Sequence, residues 1–157
     1  MMPKSKSPGR VAGIDYGTVR VGIALSDPQR SIASPMETYT RRNAELDAQR
    51  FKRLAEEEDV ALFVVGLPVF LDGRESPKSV EARQFGKWLG EITGVPVEFF
   101  DERFTSVEAE NLLLDADMTS KRRKKRIDKL AAQIMLSAYL ELRGPTGLKP
   151  GALDDRP

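Results

Sequence analysis

Asp15 closes the apolar run Val11–Ile14 and opens Asp15-Tyr16-Gly17-Thr18, after which Arg20–Ser26 reads as a second strand. A carboxylate at such a tight strand-to-strand corner can hold a metal ion or a phosphate site, because an unpaired buried charge is too costly to leave there. A plainer use is a turn-forming Asp bonded to its own backbone. Asp101 and Glu102 stand where another apolar run stops. Being consecutive, they point to opposite faces of a sheet, so only one can join Asp15. A surface salt bridge to Arg103 is the ordinary alternative, and Asp101 can instead orient a group behind the site. Asp128 is placed in the first turn of the last helix, where its ordinary role is to favour the helix dipole and to pair with Lys124 or Lys125.

The chain has no cysteine and no histidine. Thiol nucleophiles, imidazole bases, disulfides and Cys/His zinc sites are thereby excluded. Carboxylates remain, and carboxylates alone suit hard cations such as Mg²⁺ or Mn²⁺. Hydrolysis of a phosphodiester by such a set calls for two ions about 4 Å apart, one activating water and one stabilising the leaving oxyanion.

Cationic residues supply candidate substrate contacts. Lys121, Arg122, Arg123, Lys124, Lys125 and Arg126 form an unbroken run just before Asp128. Such a run is either a solvated segment or a phosphate-contacting clamp hinged ahead of the last helix, giving salt-sensitive, sequence-independent affinity. Arg20, after the Asp15 corner, can touch substrate phosphate or pair with Glu102. Gly17 and Thr18 can bring backbone N–H groups to a phosphate, although a hairpin glycine commonly serves only its own conformation. The Leu67–Pro77 stretch, with Asp72 and Arg74, reads as a loop, either ordinary or flanking the cleft.

Several elements must position these groups. Val11–Ile14 and Arg20–Ser26 form a hairpin, and Ser31–Thr38 a third strand. Asn43–Glu58 has the apolar spacing of one helical face. Val60–Gly66 reads as a buried parallel strand, Lys78–Ile92 as a helix and Val95–Phe100 as a fifth strand. Thr105-Ser106-Val107-Glu108 has the form of a capping box opening a helix to about Asp115, and Ile127–Leu142 is a long, deeply packed helix. This βββαβαβα order, with right-handed crossovers, predicts an α/β ribonuclease H-like fold: a mixed five-stranded sheet, its first three strands antiparallel and its last two parallel, flanked by helices.

At 157 residues the chain has room for one domain with a proper core. Expected bounds are a basic, flexible segment over 1–9, the domain over 10–143 and a flexible tail over 144–157. With 40% apolar and 31% charged residues the composition is that of a soluble globular protein. No apolar run approaches a membrane span and the first residues lack a signal-type h-region, so the expectation is cytoplasmic. A net charge of +1 does not announce a nucleic-acid binder; only its distribution is suggestive.

The string Gly13-Ile14-Asp15-Tyr16-Gly17-Thr18-Val19-Arg20-Val21-Gly22-Ile23-Ala24 resembles the N-terminal signature of the YqgF family, also called RuvX. Three further segments match in order: Val64–Pro68 with Asp72-Gly73, Asp101–Ser106, and Ile127–Ala132. The resemblance spans about Gly13 to Leu142. It implies a ribonuclease H-like, metal-dependent nuclease acting on structured RNA or branched DNA, in Holliday junction resolution or pre-16S rRNA 5′-end processing. It also implies that Asp15, Glu102 and Asp128 are the catalytic and metal-binding acids, with Mg²⁺ or Mn²⁺ as cofactor; Asp15, ending the first, central strand, is expected to take the bridging role. The RuvC family has a further acid one helical turn past the last Asp, whereas Leu130-Ala131-Ala132 offers none here.

Two other functions fit parts of the pattern. An Asp-x-Gly-Thr hairpin also holds nucleotide phosphates in proteins of the actin and sugar-kinase type, but those close two domains around the nucleotide. A structured-RNA-binding assembly factor without catalysis is the other, since this fold does not dictate activity. A junction resolvase would need a homodimer to cut symmetrically; an RNA processor can act as a monomer.

Overall fold

In the computed structural model the described residues are 8–70, 72–104 and 120–143, with side chains placed for all of these but Phe104 and residues 120–127. The elements are β1 (Arg10–Asp15), β2 (Arg20–Ser26), β3 (Ala33–Thr40), α1 (Ala44–Glu57), β4 (Val60–Leu67), α2 (Pro77–Thr93), β5 (Val97–Asp101), a single 3-10 turn (Glu102–Phe104) and α3 (Ser120–Arg143). The sheet order is β3-β2-β1-β4-β5. β1 pairs antiparallel with β2 and parallel with β4, and β5 extends the parallel half. The expected ribonuclease H-like arrangement is therefore the one observed, with the Asp15 strand at its centre.

Side-chain alternation divides the core in two. Ala12 and Ile14 of β1 face α1 and α2, joining Ile23, Phe51, Leu54, Phe63 and Leu89. Val11 faces α3, joining Val64, Phe100, Leu136 and Tyr139. Asp15 shares Val11's face, two pleats further on.

Local chemistry starts the helices where the sheet needs them. Asn43 caps α1 by accepting from Leu46 N at 2.9 Å, and Ser76 caps α2 by accepting from Ser79 N at 3.0 Å, with Pro77 at the first helical position. The Pro8 and Gly9 carbonyls accept from Arg30. The expected helix over 105–115 and the tail over 144–157 lie outside the described residues.

The last helix corrects the expectation. It begins at Ser120, not Ile127, so Lys121–Arg126 forms its first turns and is no hinge before it. Lys and Arg are good helix formers, and their run gives no reason for the helix to wait. Asp128 consequently lies in the third turn, beyond reach of the N-terminal dipole. Among the described residues no helix is long and apolar enough to cross a membrane.

Candidate active site

β1 delivers Asp15 to the end of the central strand, and the neighbours on either side of it are glycines. Across the antiparallel pair, Asp15 is in register with Gly22 of β2. On the parallel side Ile14 is in register with Val65, which sets Gly66 of β4 beside Asp15. Each glycine admits another acid-bearing segment. A Cβ on Gly22 would lie 2.1 Å from the Asp128 carbonyl, so α3 rests its backbone on the sheet there. A Cβ on Gly66 would lie 3.1 Å from the Glu102 carboxylate, which reaches back over the sheet from just beyond β5. Asp128 and Glu102 thus approach Asp15 from its two sides.

The Asp15 carboxyl titrates at about 6: burial raises it most, the Lys78 ammonium pulls it back down, and the Asp128 charge pushes it further up. Among the described residues no hydrogen bond to this carboxylate is found. A partly buried acid in that condition, with two more acids beside it, suits an all-oxygen cation such as Mg²⁺ or Mn²⁺. Among the described residues, however, no three acids stand close enough together to chelate one ion as they are. Asp128 is engaged by Arg20, whose Nε donates to Asp128 Oδ2 at 2.8 Å, with the two side chains about one quarter exposed.

Asp101 takes the opposite face. It is fully buried, is in register with Leu67, and accepts from Arg103 N at 2.9 Å and Arg103 Nε at 2.8 Å. These bonds fix the turn that carries Glu102. Arg103 in turn packs against Gly73, tying the loop before α2 to the strand end. Within that loop Asp72 and Arg74 bond each other, Arg74 Nε donating to Asp72 Oδ2 at 2.6 Å.

The RuvX family profile, described as Holliday junction resolvase, matches residues 9–142. The chain belongs to the RuvX family. A Rhodopirellula baltica protein named "Putative pre-16S rRNA nuclease" is 49% identical over 133 residues, covering 85% of this chain and 77% of its own length. A Koribacter versatilis protein of the same name is 40% identical over 136 residues, covering 87% and 89%. Among solved structures, T. thermophilus RuvC with a Holliday junction substrate aligns at a TM-score of 0.56 and 15% identity, covering 92% of this chain and 99% of the other, a likeness of fold. As a RuvX member the chain is a nuclease, a phosphodiester hydrolase.

Within this RuvX chain several residues sit differently from the sequence expectation. Arg20 pairs with Asp128 and not with Glu102, because α3 crosses the sheet above β2. Asp128 takes that partner in place of a helix-dipole role. Gly17 has no left-handed backbone; it is required because a Cβ would lie 2.3 Å from the Arg20 carbonyl. For Lys121, Arg122, Arg123, Lys124, Lys125 and Arg126 only the helical backbone is described. Helical periodicity puts positions 121, 124 and 125 on the stripe that carries Asp128. Lys78 was not singled out from sequence; it follows a helix-starting proline, an unremarked setting, and only the fold brings it to Asp15.

Proposed function

We propose that this RuvX nuclease is metal-dependent and cuts structured nucleic acid, with Asp15, Glu102 and Asp128 as its ligand set and Mg²⁺ or Mn²⁺ as cofactor. The observation that carries the proposal is the pair of glycines flanking Asp15, each spending a core position to let one further acid approach. Bound divalent ions supply an activated water and neutralise charge on the departing oxygen. Asp15, between the other two acids, would be the central member of the ligand set. Glu102 and Asp128 close the set from opposite sides, and Asp101 holds the turn that aims Glu102. Arg20, on Asp128 Oδ2 in this structure, would find in a substrate phosphate a second partner for its guanidinium.

The substrate proposed is pre-16S rRNA, on the strength of the names of relatives at 40–49% identity; branched DNA is the second candidate, from the family description. With such an RNA substrate the protein would work in the cytoplasm. The stripe through positions 121, 124 and 125 would follow the phosphate backbone next to Asp128. A structured-RNA-binding role in ribosome assembly is a second reading, favoured by the Arg20–Asp128 pair and by acids that do not yet converge.

Cleavage of a labelled rRNA precursor and of a four-way DNA junction in Mn²⁺, Mg²⁺ or EDTA separates these readings. Metal-dependent cutting that falls at least about 100-fold in Asp15→Asn is the expected result. Tight binding without cutting of either substrate would instead support the assembly factor.

A further inference from the structure

The sheet face opposite the acids carries a second opening. A cleft of about 630 Å³ lies between the tip of the β1–β2 hairpin, the segment entering α1 and the flank of α2. Tyr16, Val19, Arg41, Arg42, Gln84 and Trp88 border it.

Its floor is held rigid from behind. Asp47 is 2% exposed and accepts from Tyr39 Oη at 2.7 Å, Arg42 N at 3.0 Å and Arg41 Nε at 3.3 Å. Burial pushes the Asp47 carboxyl up, but those bonds outweigh it and hold it below the usual range. Arg41 is thereby fixed with its guanidinium 5.6 Å from the Tyr16 ring centre and 5.4 Å from that of Phe85, within cation–π range. Phe85 in turn lies 5.1 Å from Tyr16 and 5.4 Å from Trp88. The rim is polar: Glu81 and Gln84 are exposed one helical turn apart on α2, and Arg42 is exposed opposite them.

A nucleobase matches each part of this lining. Aromatic and guanidinium planes stack bases with little regard to sequence, amide and carboxylate groups meet base edges, and an exposed Arg meets the adjoining phosphate. Position also fits. Tyr16 directly follows Asp15, so one strand end carries the acid on one face and a border of the cleft on the other. The tip of the β1–β2 hairpin, whose Val19 is 59% exposed, borders the cleft.

We propose that this cleft receives an unpaired base of the substrate strand, one or two nucleotides from the phosphate held at Asp15. The assignment rests on the nuclease reading of the Asp15 site and adds to it a requirement for a single-stranded flank beside the cut.

Trp88 is the chain's single tryptophan, so its fluorescence reports occupancy without any need for cleavage. A five-nucleotide single-stranded RNA titrated into the full chain in EDTA should quench Trp88 saturably. Arg42→Glu and Gln84→Leu, both at exposed positions, should each weaken that binding about tenfold, while Asp15→Asn should retain the quench even as it loses cutting. Absence of quenching, equal affinity in the two cleft variants, or equal quenching by a blunt duplex would overturn the proposal. Cutting that survives Asp15→Asn while the quench keeps its dependence on Arg42 and Gln84 would sink the catalytic assignment and leave the cleft standing.

Discussion

At Asp15, the proposed function and stability pull apart. A carboxyl that titrates at about 6 in the folded chain and at 3.8 ordinarily binds its proton more tightly when folded. Between about pH 4 and pH 6 the folded state holds a proton that the unfolded state has released, so stability falls as pH rises through that window and is level above it. Ionised Asp15 is therefore a cost of about 1–2 kcal/mol at neutral pH once its partial contact with solvent is allowed for. In EDTA, Asp15→Asn should be more stable than the parent protein at pH 7.5 and little different at pH 4. Thermal unfolding at the two pH values checks this, and a destabilised variant at pH 7.5 would contradict it. The placement of Asp15 at the end of β1 was legible, because it directly closes an apolar run. The Arg20–Asp128 bond was not legible: it joins positions far apart in the chain, and nothing local to either one names the other.

The two flanking glycines make opposite predictions, because what lies over them differs. Over Gly22 is the backbone of α3, which cannot yield without lifting the helix from the sheet. Gly22→Ala should cost about 1–3 kcal/mol and cutting as well. Over Gly66 is the end of a flexible side chain, so Gly66→Ala should change stability by less than about 1 kcal/mol while displacing Glu102 and reducing the cutting rate. Unfolding midpoints and single-turnover rates on the same two proteins separate these outcomes. Most elements could be read from sequence, since the periodicities of α1 and α2 and the alternation of β1 and β2 are strong. The start of α3 could not, because a cationic run suggests a solvated break although each of its residues favours helix. Six cations in the first turns of a helix face its positive dipole end, an arrangement that an approaching polyanion improves.

For the molecule as a whole, a net charge of +1 leaves nucleic-acid affinity to local clusters. If the early turns of α3 meet phosphates, Lys124→Ala with Lys125→Ala should flatten the dependence of log K on log salt by about 2, roughly one unit for each lost contact. A fluorescence-anisotropy titration across salt concentrations measures that slope, and an unchanged slope would place the contacts elsewhere. The outer strand β3 has a consequence for self-association. It carries Pro35, exposed Ser34 and a register irregularity opposite Ile23 and Ala24. A strand edge interrupted in this way makes a poor template for another strand. Two copies gathered on one branched substrate would accordingly not meet edge to edge through β3, and a sheet running continuously from one copy into the next is the geometry this edge discourages.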